Sequence, residues 1–229
     1  MEQEDIQALS RCALFSHMRA LEIAELFAGL PHKVKEYPKN AVICLRGEKY
    51  NNLYVLVKGE IAGEIQDPRG KTVKVETLRA PSPAAAAILF AENNLLPVTM
   101  RVEKECRLLV LSKSVVINLC RRDEHFLLNL LADTGNKITF LAEKLRLSQF
   151  TTIREKIAGY ILNQSDLQSS TVISLRESKE TLSEIFGVTR PSLSRVFSEL
   201  REEGILKGEG KRITITNMEK LENILKNTD

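Results

Sequence analysis

Two arginines five residues apart, Arg190 and Arg195, stand in a run whose other side chains, Leu193 apart, are small or carry a hydroxyl, Thr189-Arg190-Pro191-Ser192-Leu193-Ser194-Arg195. A guanidinium is a planar fork that can donate two hydrogen bonds to guanine O6 and N7 in the DNA major groove, a pairing worth about 1–3 kcal/mol of discrimination. Small serines leave room for close approach and bond to base edges or phosphates. No acidic residue lies between Val188 and Ser198, so the local field there is positive. Bulk charge carries no such message. The chain has a net charge of +3, and from Phe150 onward twelve Lys/Arg balance twelve Asp/Glu. Any case for nucleic acid therefore rests on where the charges sit.

The neighbouring sequence supplies elements to position these side chains. Thr189 is placed to cap a helix, with Pro191 in its first turn, where a missing N–H is harmless. Leu193, Val196, Phe197 and Leu200 follow the i, i+3, i+4, i+7 spacing of a buried stripe, which leaves Arg190, Ser192, Ser194, Arg195 and Ser198 outside. Upstream, Ser178 is an N-cap for a helix with Leu182, Ile185 and Phe186 as its apolar side, and Gly187 suits a tight inter-helix turn. Downstream of Gly204, Ile205-Leu206-Lys207 and Arg212-Ile213-Thr214-Ile215 flank Gly208-Glu209-Gly210, the pattern of a hairpin. Lys207, Lys211 and Arg212 on it suit phosphates. The spacing predicts a winged helix-turn-helix.

Before this segment, Leu127, Leu131, Thr134, Ile138, Leu141 and Leu145 recur at intervals of 4, 3, 4, 3, 4, the a/d seam of a coiled coil. Asn129, Asp133, Lys137, Glu143, Lys144 and Arg146 make the opposite face polar. A helix of roughly 25 residues, near 35 Å long, outreaches a small domain, so a homodimer through this seam is expected. Phe150-Thr151-Thr152 breaks the helix. A further amphipathic helix over Thr152 to Leu162 precedes a predicted polar loop, Asn163 to Ser170.

The N-terminal half reads differently. A helical stretch is expected from about 3 to 29, closed by Pro31. Short β-rich runs then recur about every ten residues: Ala41 to Leu45, Leu53 to Val57, Ile61 to Ile65, Val73 to Thr77, Val98 to Val102 and Leu108 to Leu111. Turns are expected at Arg46-Gly47, Lys58-Gly59 and Asp67-Pro68-Arg69-Gly70. This is the rhythm of a sandwich or jelly-roll barrel. The fold class is α+β, with a β-barrel sensor over 1–120, a dimerisation helix over 121–149 and a DNA-binding domain over 150–229.

Several function classes are disfavoured. Walker A, H-E-x-x-H and G-x-S-x-G motifs are absent and the three histidines are scattered, so no enzyme and no catalytic residue is expected. Cys12, Cys44, Cys106 and Cys120 lie far apart, as buried thiols do, and not as a disulfide or zinc framework. No apolar run approaches a membrane span, and the acidic opening Met1-Glu2-Gln3-Glu4-Asp5 is unlike a secretory signal. A cytoplasmic protein is expected.

The barrel, the long helix and the run GVTRPSLSR, then EEGIL and Gly210-Lys211, resemble the Crp/Fnr family of bacterial transcription regulators over nearly the whole chain. Glycines 47, 59 and 70 fall at the family's barrel turns. The resemblance implies double-stranded DNA with an inverted-repeat operator, a second copy of the chain and RNA polymerase as partners. It carries the recognition positions onto Arg190, Pro191, Ser192 and Arg195. Many members have Glu where Pro191 stands, so a contact to a base amino group is lost here. Cyclic-AMP-responsive members carry a cassette opened by Gly-Glu and closed by Arg-Ser or Arg-Thr. Here those pairs are Ala85-Ala86 and Leu96-Pro97. A buried phosphate without a counter-charge is costly, so cyclic AMP is not expected to bind. The N-terminal cysteine cluster of the iron–sulfur members is also missing.

What remains is an expected apolar effector pocket of Ala85, Ala86, Leu89, Leu96 and Pro97, set against Leu127. Leu96-Pro97-Val98, the Arg190-Pro191-Ser192-Leu193 run and Phe140 to Leu145 look most like the regulators of hybrid cluster protein genes. That likeness implies a nitrosative signal and makes haem a candidate cofactor. Its axial ligand would come from His17, His32, His125, the cysteines, Met18 or Met100, and no spacing singles one out. A small hydrophobic metabolite, or a purely structural barrel, is the alternative.

Overall fold

A computed structural model describes residues 1–66, 69–70 and 72–226. The chain divides into two compact units, Met1–Asn136 and Lys137–Asp229. The division falls inside one helix.

The first unit is built on two long strands. β1 (Lys33–Tyr37), β2 (Val42–Cys44), β3 (Asn52–Gln66), β4 (Thr72–Arg79), β5 (Ser82–Ala84) and β6 (Thr99–Ser112) form one antiparallel sheet in the order β1-β6-β3-β4. Each long strand serves two short ones. β6 pairs with β2 through Met100 and Arg101 and with β1 through Cys106 to Val110. β3 pairs with β5 through Tyr54 to Leu56 and with β4 through Glu60 to Gln66. The sequence suggested four strands where β3 and β6 run continuously, because Lys58-Gly59 reads as a turn. In the structure it is a bulge inside β3. The register against β6 shifts on both sides of it, and Gly59 has φ +94°. A Cβ there would lie 2.2 Å from the Glu105 carbonyl oxygen, so the two long strands approach as closely as they do only because residue 59 has no side chain. The turn expected at Asp67-Pro68 lies outside the described residues.

The helical stretch expected at 3–29 is divided into α1 (Gln3–Leu9), a 3-10 turn at Ala13–Phe15 and α2 (Ala20–Leu26), which ends five residues before Pro31. The interruptions have a packing reason: Leu14 and Phe15 turn fully inward, and the Phe15 ring meets Phe27 at 5.9 Å and Phe126 at 5.3 Å. α1 is pinned by Asp5, which accepts two bonds from Arg107 at 2.8 and 3.0 Å. Burial pushes the Asp5 carboxyl up, but the Arg107 hydrogen bonds and charge outweigh it and hold the group below its ordinary value.

α3 (Lys113–Arg122) follows β6, and α4 (Glu124–Leu147) is the expected long helix. It starts later than 121, since Asp123 is extended and caps it by accepting from Phe126 N at 2.8 Å. Phe126 and Leu130 pack into the first unit's core, while Leu147 is buried in the second unit's. The second unit contains α5 (Ile153–Gln168), β7 (Val172–Ser174), α6 (Lys179–Phe186), α7 (Arg190–Glu202), β8 (Leu206–Lys207), β9 (Arg212–Ile215) and α8 (Met218–Lys226). Its strands form a sheet in the order β7-β9-β8.

Of the loop expected over Asn163 to Ser170, the part from Asn163 to Gln168 is instead the end of α5, and only Ser169 and Ser170 lie outside the helix. Its polar residues find partners without leaving the helix. Ser165 Oγ donates to the Ser170 carbonyl at 2.8 Å, and the Gln168 amide exchanges two bonds with the Ser174 backbone. The helix stops at Ser169, which is left-handed at φ +46°. At the other end Thr152 and Glu155 form a reciprocal cap, and these hydrogen bonds hold the Glu155 carboxyl below its ordinary range.

Candidate nucleic-acid interface

α6 and α7 are capped as their sequences require. Ser178 Oγ accepts from Thr181 N at 3.1 Å and Thr189 Oγ1 from Ser192 N at 3.3 Å. Between the helices Gly187 is left-handed at φ +68°, and its N–H bonds back to the Glu184 and Ser183 carbonyls. Lys156 of α5 reaches across to the Phe186 carbonyl at 2.8 Å and neutralises the C-terminal end of α6. Leu193, Phe197 and Leu200 are fully buried and fix the rotation of α7; Val196 is half-buried at the edge of that stripe. Thr189, Arg190, Pro191 and Arg195 consequently face outward, with Ser192 half-exposed among them.

The field at this surface differs from the sequence expectation. No carboxylate interrupts the run from Val188 to Ser198, yet each arginine meets one from outside it. Glu180 Oε2 of α6 is 3.8 Å from Arg190 Nε, and Glu199 Oε1, one turn along α7, accepts from Arg195 Nε at 2.9 Å. Only the folded turn, and the register of one helical turn, bring these carboxylates in.

The expected hairpin is present as β8 and β9, and β7 widens it. Arg201, which the sequence reading passed over, ties it to α7: one end of its guanidinium donates to the Gly208 carbonyl at 3.3 Å and the other to Ser198 Oγ at 2.9 Å. Lys211 was expected to be free for phosphates. It is exposed, but its ammonium rests on the Arg176 carbonyl at 3.3 Å, so phosphate binding has to compete with that contact. Glu177, next to Arg176, takes the buried Tyr160 hydroxyl, which anchors the loop that leads into α6. α8 was missed altogether. Leu221 buries fully from it, and the spacing of Met218, Leu221, Ile224 and Leu225 was the available signal.

The cassette in the first unit contrasts with this surface. Leu89 and Leu96 are 0% and 1% exposed, and Ala84 and Ala86 are buried in the same core cluster. Ala85 is left-handed and opens a 3-10 turn at Ala86–Ile88. The Tyr50 hydroxyl, itself buried, donates to the Ala84 carbonyl. Four of the six residues expected to line a pocket therefore pack with the core. The other two face out: Pro97 is exposed and Leu127 is more than a third exposed. All six are uncharged, so they offer a guest apolar contact and no counter-charge.

The candidate axial ligands are dispersed. His17 and His125 are exposed, and His32 sits on the Leu30 carbonyl at 3.0 Å with its ring against Phe27. Met100 and Cys12 are buried. Burial pushes the Cys12 and Cys106 thiols up to about 11, and those of Cys44 and Cys120 upward, away from the thiolate form that binds metals. Among the described residues no three His, Cys, Asp or Glu side chains group as a metal site. None of the six cassette residues, Ala85, Ala86, Leu89, Leu96, Pro97 and Leu127, carries an atom that could ligate a haem iron.

The expected dimer seam lies open. Leu131, Ile138, Leu141 and Leu145 of α4 are 53–71% exposed, and Thr134, half-buried between them, turns its hydroxyl onto the Leu130 carbonyl at 3.0 Å. No helix among the described residues is long and apolar enough to cross a membrane.

Comparison with known proteins agrees with both units. Residues 34–123 match the cyclic nucleotide-binding domain family and residues 155–224 the Crp-like helix-turn-helix domain family. The cAMP-activated global transcriptional regulator CRP of Escherichia coli is 22% identical over 186 residues, covering 80% of this chain and 89% of its own. The cAMP-activated regulator Vfr of Pseudomonas aeruginosa is 19% identical over 188 residues, covering 79% and 88%. Among solved structures, the Thermus thermophilus catabolite activator protein superposes with a TM-score of 0.54 at 19% identity, over 95% of this chain and all of that one. OCPA-complexed CprK gives 0.52 at 19% identity, over 82% and 88%.

Proposed function

Given that the chain is a DNA-binding transcription regulator of the Crp/Fnr family, we propose that it binds operator DNA as a homodimer, with α7 of each copy in the major groove, and needs no cyclic nucleotide to do so. The observation that carries the reading is the outward row of Arg190, Ser192 and Arg195 on a helix whose rotation is fixed by fully buried Leu193, Phe197 and Leu200. The exposed leucine and isoleucine stripe of α4 supports the dimer, since a second copy of the same stripe is its simplest apolar cover. Two-fold symmetry then calls for an inverted repeat with half-sites about one helical turn apart.

Independence from cyclic AMP rests on the cassette. Ala85, Ala86, Leu96 and Pro97 offer neither a counter-charge for the phosphate nor a carboxylate for the ribose. Any effector at that place is uncharged and apolar, and it acts only by its different affinity for two arrangements of the chain. A second reading, a constitutive regulator with a structural barrel, is favoured by the packing of Leu89 and Leu96 and by the Tyr50 bond to Ala84. The nitrosative signal implied by the likeness to hybrid cluster protein regulators is a particular form of the first reading.

Binding to promoter fragments of the source genome, followed by fluorescence anisotropy with and without cyclic AMP, tests the proposal. Nanomolar binding to discrete fragments, unchanged by cyclic AMP and accompanied by no calorimetric heat from the nucleotide, is expected. A micromolar nucleotide affinity that shifts DNA binding overturns the cassette argument. Treating the protein with nitric oxide then separates the two readings: a shift in operator affinity supports an apolar or gas-linked trigger, and no shift supports the structural barrel.

A further inference from the structure

The two recognition arginines are held differently. Arg195 Nε donates to Glu199 Oε1 at 2.9 Å, whereas Arg190 Nε stands 3.8 Å from Glu180 Oε2, beyond hydrogen-bond reach. Among the described residues, the terminal Nη1 and Nη2 of Arg195 make no hydrogen bond, and the side chain is 82% exposed. A guanidinium has five N–H donors in one plane. A carboxylate fixed at the Nε edge therefore sets the orientation of that plane and leaves the two Nη groups to point along the side-chain axis. That end-on pair matches the two acceptors of guanine, O6 and N7.

Glu199 has a second effect. It sits on the recognition helix, one turn from Arg195, and brings a negative charge to a surface that approaches phosphates. Non-specific binding is almost wholly electrostatic, while specific binding also draws on base contacts. A carboxylate at this point weakens the first more than the second. Arg154 of α5 lies within the electrostatic reach of Glu199, but it forms its own hydrogen-bonded pair with Glu203, so it does not replace Arg195 as the partner.

We propose that Glu199 is a specificity-determining residue of this regulator: it positions Arg195 for end-on recognition of guanine and suppresses binding to non-cognate DNA. The proposal rests on the reading of α7 as the base-contacting helix.

The test uses the full-length dimer and three duplexes: the selected operator, the same operator with the guanine opposite Arg195 replaced, and an unrelated sequence. Glu199→Gln should raise affinity for the unrelated duplex severalfold while leaving operator affinity level or lower. Discrimination between the guanine and its replacement should fall by about fivefold or more, the lower end of what one bidentate contact supplies. Arg195→Ala should erase that discrimination, and Glu199→Gln in the Arg195→Ala background should add no further loss. Glu180→Gln, whose carboxylate makes no such hydrogen bond to Arg190, should change discrimination less than Glu199→Gln. Equal weakening of Glu199→Gln on all three duplexes, or unchanged discrimination, overturns the proposal while Arg195 keeps its role. If Arg195→Ala itself leaves base preference intact, the assignment of α7 fails instead.

Discussion

α7 and the cassette occupy corresponding ranks in the two units: each is the segment where the family's chemistry is expected to sit. In α7 the apolar residues face inward and the donors face out. In the cassette Leu89 and Leu96 face inward, and Ala85, Ala86, Leu96 and Pro97 bring no charge to meet a phosphate. Leu193, Phe197 and Leu200 act as a foundation for Arg190 and Arg195, while Leu89 and Leu96 are foundation only. A shared fold therefore fixes where a site would be, and the individual side chains decide whether chemistry survives there.

The sharpest way to break this contrast is to restore the charge. Leu96→Arg places a guanidinium at a position that is 1% exposed, where the leucine belongs to the apolar core cluster. Burying an unpaired charge costs about 3–5 kcal/mol, and the melting temperature of the first unit should drop by roughly 10 °C or more. Arg190→Leu, in an exposed position, should leave melting almost unchanged while reducing DNA affinity. Calorimetric melting of both variants checks the pair. If Leu96→Arg melts normally and binds cyclic AMP, the cassette is a latent pocket and the contrast is wrong.

The next largest effect concerns the α4 seam. Ile138→Lys puts like charges together in any two-fold pairing, and sedimentation velocity should show a monomer with weakened operator binding. An unchanged dimer would place the interface elsewhere.

Two glycines give a smaller contrast. Gly59→Ala forces a Cβ to within 2.2 Å of the Glu105 carbonyl oxygen, whereas at Gly187 a Cβ would meet nothing within 4 Å. Both are left-handed, so each pays about 1–2 kcal/mol for φ. Gly59→Ala must also displace the β6 backbone. Denaturant titration should show it as the more damaging of the two.

Acid provides the mildest comparison. Asp5 in the first unit and Glu155 in the second both have carboxyls held below their ordinary values of 3.8 and 4.5. Their stabilisation is complete above those unfolded values and disappears as pH falls through the lowered folded ones. Asp5→Asn should flatten the acid limb of unfolding below about pH 4 in the first unit, and Glu155→Gln in the second, as followed by melting between pH 2 and 6.

The helix-turn-helix was legible because its signals are local. Caps at Ser178 and Thr189, the left-handed Gly187 and the buried stripe of α7 all lie within one turn of the residues they govern. Glu199 and Glu180 escaped notice because charge was counted along the chain, and the carboxylates arrive through a helical turn and a neighbouring helix. In the first unit the decisive contacts are distant. Lys58-Gly59 reads as a turn until Glu105 and Cys106 lie against it. The break between α1 and α2 depends on Phe15 meeting Phe126. The polar tail of α5 looks like a loop because its partners, Ser170 and Ser174, lie beyond its end.

A base-by-base specificity profile, taken on a randomised duplex library with the wild-type protein and Arg195→Ala, bears most directly on the account. The wild type should recover an inverted repeat with half-sites about one helical turn, roughly 10 base pairs, apart. Arg195→Ala should lose its preference at one symmetric guanine in each half-site and keep it at the other positions. A single unpaired half-site, or a uniform loss of affinity with the profile unchanged, would contradict the reading of α7 as the base-reading helix of a symmetric dimer.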